Sequence, residues 1–267
     1  SSVIDIDGDN EIQESEAQLI KLLNISNSNI SDLTGLETFV NLEVLFCSNN
    51  QITSINLTSF PNLRGLIVNG NQLATISVSN LTNLEHLECR NNLLSSLDVS
   101  GLTNLVRLKF GNNPINTVNI SNCINLSGLN FISNLDYSGD YDPFLMVSGN
   151  SWYWAKQEIS TLTTLIYTGC TNFKRLQIVN NTISNLTILP SIENFSLVNT
   201  SINDLNLSNA TNLFSVNIEN NLISNLNFSS LNNLSSVYLQ TPLLNSINFQ
   251  GCNNLRYLEF LSTNQIT

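Results

Sequence analysis

Residues 41–61 read NLEVLFCSNNQITSINLTSFP, and the three segments that follow repeat the pattern. They are NLRGLIVNGNQLATISVSNLT, NLEHLECRNNLLSSLDVSGLT and NLVRLKFGNNPINTVNISNCI, beginning at residues 62, 83 and 104. Each unit has 21 residues, and its apolar residues return to the same places, such as Leu42, Leu45 and Leu57 in the first. One unit cannot bury such a stripe alone, but stacked units share a continuous core, so the repeat predicts a solenoid.

Asparagine is as regular as leucine. It holds one further position in unit after unit, at Asn50, Asn71, Asn92, Asn113, Asn134, Asn181 and Asn221. Because a buried polar group needs hydrogen-bond partners, we predict that these amides bind the backbone where each coil turns. Adjacent coils would then stack the amides into a ladder.

The spacing L-x-x-L-x-L-x-x-N resembles the core signature of the leucine-rich-repeat family, over roughly residues 23–133 and 172–260. The resemblance implies an α+β repeat solenoid, a horseshoe with one short parallel β-strand per coil of about 21 residues and a mostly irregular convex side. The first unit, LNISNSNISDLTGLETFVNLEVL, resembles the repeats of the internalins, which are bacterial surface adhesins. Later units such as LDVSGLTNL resemble secreted repeat proteins of Bacteroidetes-like bacteria.

The domain organisation follows from where the repeat holds. We expect an N-terminal cap over residues 1–22 and a solenoid over 23–267. The last unit breaks off with Leu258 and Phe260 in core positions, so we expect the native chain to continue there or a neighbour to cover that end. We likewise expect the native start to precede Ser1.

The charge balance excludes some classes of partner. The chain has nine Lys and Arg against twenty Asp and Glu, for a net charge of −11. Nucleic acid needs a basic stripe, and anionic lipid also attracts cationic proteins. The sequence has no run of about 18 apolar residues, which is the length that a membrane-spanning helix needs. We therefore expect neither nucleic-acid binding nor membrane insertion.

The acidic stretch DIDGDNEIQESE, from Asp5 to Glu16, has the ligand spacing of a 12-residue EF-hand-type calcium loop. That spacing assigns calcium ligands to Asp5, Asp7, Asp9, Glu11 through its carbonyl, Gln13 through a water, and Glu16. Asn10 stands where the family has Gly, and Asn is the next-best residue for a left-handed turn. We predict a structural calcium ion and, in SEAQLIKLL, a short helix over the first coil. A solvated acidic tail is the alternative.

We expect the five cysteines to be small core hydrophobes. Cys47 and Cys89 lie two units apart, beyond disulfide reach. Only Cys123 and Cys170 could be adjacent, provided that the residues between them form one coil with an insertion. No C-x-x-C motif or zinc spacing occurs.

Nothing in the sequence indicates an enzyme. His86 is the only histidine, and it lies at a strand position of an ordinary repeat. No G-x-S-x-G motif, phosphate-binding glycine loop or dinucleotide fingerprint is present, and no carboxylate pair stands out.

Residues that flank the core positions of each strand are predicted to line the concave face. Among them, apolar side chains lie near charged ones, which is a reasonable binding patch. The candidate ligand-binding residues are Phe46, Ile67, His86, Glu88, Arg90, Arg107 and Lys109. The alternative is a solvated sheet face whose charges pair with one another.

The repeat fails over about residues 135–160, and Asn125 to Asn172 spans 47 residues, or two units plus about five. Both tryptophans, Trp152 and Trp154, lie in this insertion. They could form a binding loop, or a plug that closes the core where the coil register slips. Separate substitutions would distinguish the two.

Together these features indicate an extracellular or cell-surface bacterial scaffold, monomeric, that binds a protein or glycan in adhesion or another surface interaction. A structural spacer that holds another domain away from the cell is the main alternative. An enzyme acting on polysaccharide is a remote third.

Overall fold

The computed structural model describes residues 5, 7–132, 156–157 and 161–261, and these are almost entirely short strands and turns. The only helical segments among them are α1 (Glu14–Ala17) and one 3-10 turn, Leu36–Thr38. The strands are β1 (Leu22–Asn24), β2 (Val44–Phe46), β3 (Gly65–Ile67), β4 (His86–Glu88), β5 (Ser96–Asp98), β6 (Arg107–Lys109), β7 (Thr117–Asn119), β8 (Gly128–Ile132), β9 (Lys156–Gln157), β10 (Thr164–Ile166), β11 (Arg175–Val179), β12 (Asn194–Val198), β13 (Ser215–Glu219), β14 (Asn225–Asn227), β15 (Ser236–Gln240), β16 (Ser246–Asn248) and β17 (Tyr257–Phe260).

Successive coils stack with their strands parallel and in register. One sheet has the order β1-β2-β3-β4-β6, and a second has the order β17-β15-β13-β12-β11-β8-β9. In the first sheet Leu45 pairs with Leu66 and Leu66 with Leu87, one repeat apart each time. The side of these two sheets that faces away from the core is called the strand face below. The predicted parallel-strand solenoid is confirmed.

Two parts of the predicted fold class need correction. The α+β label is loose, because the described residues hold only four α-helical residues. Several coils also have a second strand instead of an irregular return, and these strands form the sheets β10-β7-β5 and β14-β16. A 21-residue coil leaves little room for a helix, and its Asn and Ser side chains favour turns over helix.

A continuous apolar core runs along the axis of the stack. The strand leucines Leu45, Leu66, Leu87 and Leu108 are buried, as are the residues two positions on, such as Cys47. Alternation along each strand sends the residue between these two outward. Among the described residues, no helix has the length and apolar character needed to cross a bilayer.

The predicted asparagine ladder lies just inside the turn that follows each strand. Asn92 is 5% exposed, and its Nδ2 donates to the carbonyls of Val68, Cys89 and Arg90 at 3.1 Å each. Its Oδ1 accepts from the Leu73 N–H at 3.0 Å. Each amide thus joins its own coil to the preceding one, as the repeat predicted.

A second asparagine column, which we had not predicted, lies on the outside of the same turn. Asn49, Asn91 and Asn112 have φ of 55°, 52° and 55°, in the left-handed region that Asn tolerates. The Nδ2 of Asn112 donates to Oδ1 of Asn91 at 2.8 Å. Gly70 takes this position in one coil, with φ of 65°.

The insertion interrupts the sequence repeat, but the strands that precede and follow it still pair. Strand β8 pairs directly with β11, Leu129 opposite Leu176, although the two are 47 residues apart. The coils on either side of the insertion are therefore adjacent. The 47 residues from Asn125 to Asn172 form one coil with an insertion, and the interpretation as two units plus about five residues is wrong. Of the insertion, only Lys156–Gln157 is described, as β9 at the edge beside β8. Cys123 and Cys170 lie in adjacent coils, but all five cysteines are free thiols.

Candidate functional site

The acidic N-terminal loop folds around the first of its carboxylates. Asp5 Oδ1 accepts a hydrogen bond from the Gly8 N–H at 2.7 Å, and its Oδ2 accepts one from Asn10 N–H at 3.0 Å. Asn10 adopts φ of 68°, so it does take the left-handed conformation. The chain therefore turns sharply and brings together one carboxylate oxygen from each of Asp5, Asp7 and Asp9, all within 4.8 Å of one another.

Glu16 closes the loop from the other side. Glu16 lies in the first turn of α1 and is only 6% exposed. One of its carboxylate oxygens accepts a hydrogen bond from the backbone N–H of Asp7 at 3.3 Å, and the other accepts one from the N–H of Gln13 at 3.1 Å. The carboxylate therefore faces the loop. Glu11 is exposed, and its N–H donates to Asp9 Oδ1 at 2.8 Å. Gln13 donates its side-chain amide to Asp9, which leaves its Oε1 available for a water-bridged contact with calcium.

The charges in the loop act against one another. A hydrogen bond from the Asp9 N–H lowers the pKa of Asp7, but desolvation and the carboxylates of Asp9, Glu16 and Asp5 outweigh it, so that the pKa of Asp7 is raised. A hard divalent cation such as Ca²⁺ prefers a set of oxygen ligands and would remove this repulsion. The donor set thus fits calcium, which would be held by Asp5, Asp7, Asp9 and Glu16, with the Glu11 carbonyl as a further ligand.

On the strand face of the first sheet, the predicted ligand-binding residues form two adjoining columns. Phe46 pairs with Ile67, Ile67 with Glu88, and Glu88 with Lys109. In the neighbouring column His86 lies beside Arg107. All of these side chains are half-buried. Phe46 and Ile67 therefore lie next to the charged residues on one face, as the sequence predicted.

Glu88 is the centre of this charged cluster, which comprises His86, Glu88, Arg90, Arg107 and Lys109. Its Oε1 lies 3.1 Å from Arg107 Nη2 and 3.4 Å from Lys109 Nζ, and its Oε2 accepts from Asn69 Nδ2 at 3.2 Å. The charges thus pair in part, as the alternative interpretation expected. Two cationic groups, those of Arg107 and Lys109, thus lie against one carboxylate on this face.

His86 has an unused polar atom. Its Nδ1 is buried, and the described residues offer it no hydrogen-bond partner. A buried nitrogen of this kind costs free energy unless a water or a ligand reaches it. Trp152 and Trp154, the remaining candidates, lie outside the described residues.

The strand face of the second sheet has a groove that sequence reasoning missed. It encloses about 520 Å³ across β11, β12, β13 and β15. Its central column is Gln177, Ser196, Asn217 and Tyr238, which pair in that order. The sequence signal was present, since these residues occupy the same strand position as Phe46 and Glu88, but none of them is charged and no motif marks them.

Comparison with known proteins places the chain among repeat proteins. Residues 10–122 match the family model described as the leucine-rich-repeat domain of the endo-β-N-acetylglucosaminidase EndoS. No curated protein sequence matches the chain.

Solved structures resemble it over most of its length. The functional domain of InlJ from Listeria monocytogenes is 23% identical with a TM-score of 0.54, over 93% of this chain and 57% of that one. YopM from Yersinia pestis is 18% identical with a TM-score of 0.56, over 92% and 62%. The Toll–Spätzle complex of Drosophila is 18% identical with a TM-score of 0.55, over 87% and 35%.

This chain spans less than two thirds of each of these three structures. At such identities the likeness concerns the fold alone. The 21-residue repeat, the stack of parallel strands with its internal asparagine ladder, and the family match over residues 10–122 agree with one another. The chain therefore has the leucine-rich-repeat fold.

Proposed function

We propose that the chain is a binding scaffold that recognises a protein partner through the strand face of its first sheet. The observation that carries this proposal is the charged cluster beside the apolar pair Phe46 and Ile67, all in register on one surface. Leucine-rich-repeat proteins are in general protein-binding scaffolds, and the Toll–Spätzle complex is named for two proteins held together.

The chemistry of the face specifies the kind of partner. Aromatic and arginine side chains are the residues that most often dominate protein interfaces, and Phe46 and Arg107 lie on the same face here. The cationic side chain of Lys109, in the same column as Phe46 and Ile67, would favour a partner that presents a carboxylate next to an apolar side chain. We therefore propose an acidic, partly apolar protein segment as the ligand.

A display library of random peptides, selected on the purified chain, tests this directly. Selected peptides should pair an apolar residue with Asp or Glu, and synthetic copies should bind about 10-fold or more weakly to Phe46→Ser and to Lys109→Ala. Asn209→Ala, an exposed turn residue on the second half of the stack, is the control and should bind as the wild type does. Selected peptides that ignore both substitutions would refute the assignment.

Calcium binding by the N-terminal loop is the second part of the proposal. Its support is the convergence of Asp5, Asp7 and Asp9 opposite the inward-facing Glu16. The ion would have a structural role, because it would fix the loop and α1 at the end of the stack. No catalytic step is assigned to it.

Calorimetry on chelated protein tests the calcium site. Wild type and Glu14→Gln, which changes an exposed carboxylate outside the ligand set, should both release or take up heat on addition of calcium. At a calcium concentration of about 100 times Kd, both should gain about 2.7 kcal/mol against unfolding. Asp7→Asn should lose both effects. Without calcium, Asp7→Asn should not destabilise the protein. In the wild type, the ionised Asp7 carboxylate is repelled by the carboxylates of Asp5, Asp9 and Glu16 in the folded loop. Absence of heat with the wild type would end the proposal.

The raised pKa of Asp7 also sets a direction for pH. A carboxyl group whose pKa is higher in the folded protein than in the unfolded chain destabilises the fold once it ionises. The calcium-free protein should therefore become slightly less stable as pH rises through the range where Asp7 titrates. Calcium should reverse that trend, because it needs the ionised form.

Location outside the cell, at the cell surface or secreted, is proposed from the internalin-like first repeat. Protease treatment of intact cells expressing the full-length protein tests it, since a displayed scaffold would be cleaved. The spacer alternative predicts that neither the peptide library nor the sugars described below would find a saturable site.

A further inference from the structure

We propose that the groove on the strand face of the second sheet is a separate binding site for a short neutral oligosaccharide. It is called the polar groove here and is defined by Gln177, Ser196, Asn217 and Tyr238 with their flanking residues on β11, β12, β13 and β15. This inference goes beyond the proposed protein-binding function, because the two sites share no residue and have different chemistry.

The polar groove combines neutral hydrogen-bonding groups with apolar surface from Leu176, Phe195 and Val216. Besides the central column, its flanking column consists of Asn194, Ser215 and Ser236. Two charged side chains also line it, Arg175 and Glu219, and the Glu219 carboxylate accepts a hydrogen bond from Asn217. Hydroxyl and amide groups can both donate and accept hydrogen bonds, which matches the hydroxyl groups of a sugar. One arginine is too little for a phosphorylated or nucleic-acid ligand.

Asn217 provides the sharpest observation. Its Nδ2 donates to Glu219 Oε1 at 2.8 Å and to Ser196 Oγ at 3.3 Å. Rotating the amide by 180° would turn its oxygen towards the Glu219 carboxylate, so these partners fix its orientation. The Oδ1 is then left buried, and the described residues give it no donor.

An unpaired buried acceptor of this kind costs free energy unless something donates to it. Asn217 itself lines the groove, so a small movement of its neighbours would let a ligand hydroxyl reach this oxygen. By contrast, the buried amides of the internal ladder, such as Asn92, use both their nitrogen and their oxygen. The unused acceptor of Asn217 therefore points to a ligand that brings a hydrogen-bond donor.

Tyr238 supplies the apolar surface that sugar binding also needs. Its ring lines the groove next to Asn217, half-buried, and its hydroxyl lies 3.4 Å from Gln240 Oε1. An aromatic ring of this kind offers a flat apolar face together with a polar edge. The C–H groups on one face of a pyranose ring can pack on it while the sugar hydroxyls reach Asn217 and Ser196.

The dimensions set the size of the ligand. The groove crosses four strands spaced about 4.8 Å apart, which gives it a length of roughly 14 Å. That length suits a short oligosaccharide better than a single sugar. The clustered cations of the first sheet, around Glu88, have no counterpart in the groove lining.

The experiment titrates the intact chain with maltotetraose, cellotetraose, mannotetraose and chitotetraose, using calorimetry and ligand-observed NMR. At least one tetrasaccharide should bind saturably. Asn217→Ala should weaken that binding roughly 5- to 10-fold, as expected for one lost hydrogen bond, and Tyr238→Ala should do so by a similar factor. Tyr238→Phe keeps the ring and should stay within about 2-fold of wild type.

Two controls separate a lost site from a lost fold. Circular dichroism spectra of all variants should match the wild type, and Asn209→Ala should leave sugar affinity unchanged because this exposed residue lies outside the groove. Failure of all four sugars to bind would overturn the proposal, as would binding that ignores both Asn217→Ala and Tyr238→Ala. Selection of peptides whose binding depends on Asn217 would also overturn it, in favour of a peptide groove. None of these outcomes changes the test of Phe46 and Lys109.

Discussion

Replacing one amide of the internal ladder tests how the stack is held together. In Asn92→Ala, the carbonyls that Asn92 serves each keep another donor. Val68 O still accepts from Asn71 Nδ2, Cys89 O from Asn113 Nδ2, and Arg90 O from the Gly70 N–H. The Leu73 N–H is different, because among the described residues its partner is the Asn92 side chain.

The free-energy loss can be estimated from these contacts. A buried N–H without an acceptor costs about 1–3 kcal/mol, and the loss of the remaining amide contacts adds roughly 1 kcal/mol. We therefore expect Asn92→Ala to lower the free energy of unfolding by about 2–4 kcal/mol, measured by guanidinium denaturation. The Leu73 amide should also exchange with deuterium much faster than in the wild type, since its hydrogen bond is gone.

The adjacent residue provides a matched control. Asn91 is the same residue type, but it lies in the outer column with φ of 52°. Asn91→Gly keeps that backbone conformation and loses only an exposed contact with Asn112, so we expect a change of a few tenths of a kcal/mol. If Asn92→Ala were no more destabilising than Asn91→Gly, the ladder would not be what holds adjacent coils together.

Two further predictions follow from the turns and from the core. Gly70→Ala should be at least about 1 kcal/mol more destabilising than Gly101→Ala in the same denaturation assay. Both glycines have positive φ, but only at Gly70 would the new Cβ meet a neighbouring atom, Asn49 Oδ1, at 2.4 Å. A clash-free Gly70→Ala with the same cost as Gly101→Ala would contradict this. In native protein at pH 8, iodoacetamide should modify the half-buried Cys252 first, because burial raises the pKa of Cys47 to about 12. Equal labelling rates, read by mass spectrometry, would show that the core opens readily.

The sequence alone was sufficient for the core and its ladder. Leu45, Leu66 and Leu87 recur every 21 residues, and stacking is the only way in which such a stripe becomes buried. Asn50 and its equivalents could be placed by the same register, because a polar residue at a buried position must bind the backbone. Periodicity therefore predicts whatever repeats identically in every coil.

Features that depend on contacts between particular coils could not be predicted. Ser96–Asp98 forms strand β5 because it pairs with β7, whereas the similar residues 55–57 form no strand. The helix predicted in SEAQLIKLL ends at Ala17, because Leu23 is needed in the first coil, where it pairs with Leu45. The polar groove was missed for a related reason, since its character lies in the combination of four strands and not in any single repeat.

The ladder that joins the coils is made of groups that neither gain nor lose a proton between strong acid and strong base. Asn50, Asn71, Asn92 and Asn113 hold the backbone through uncharged amides, so acid and salt have little to act on along the body of the molecule. Six of the twenty carboxylates lie instead at one end, within the first sixteen residues around Asp7. In the proposed calcium-bound form, acidification should release the ion and loosen the tip of the protein long before it disturbs the coils. Without calcium, the same acidification should slightly stabilise the tip.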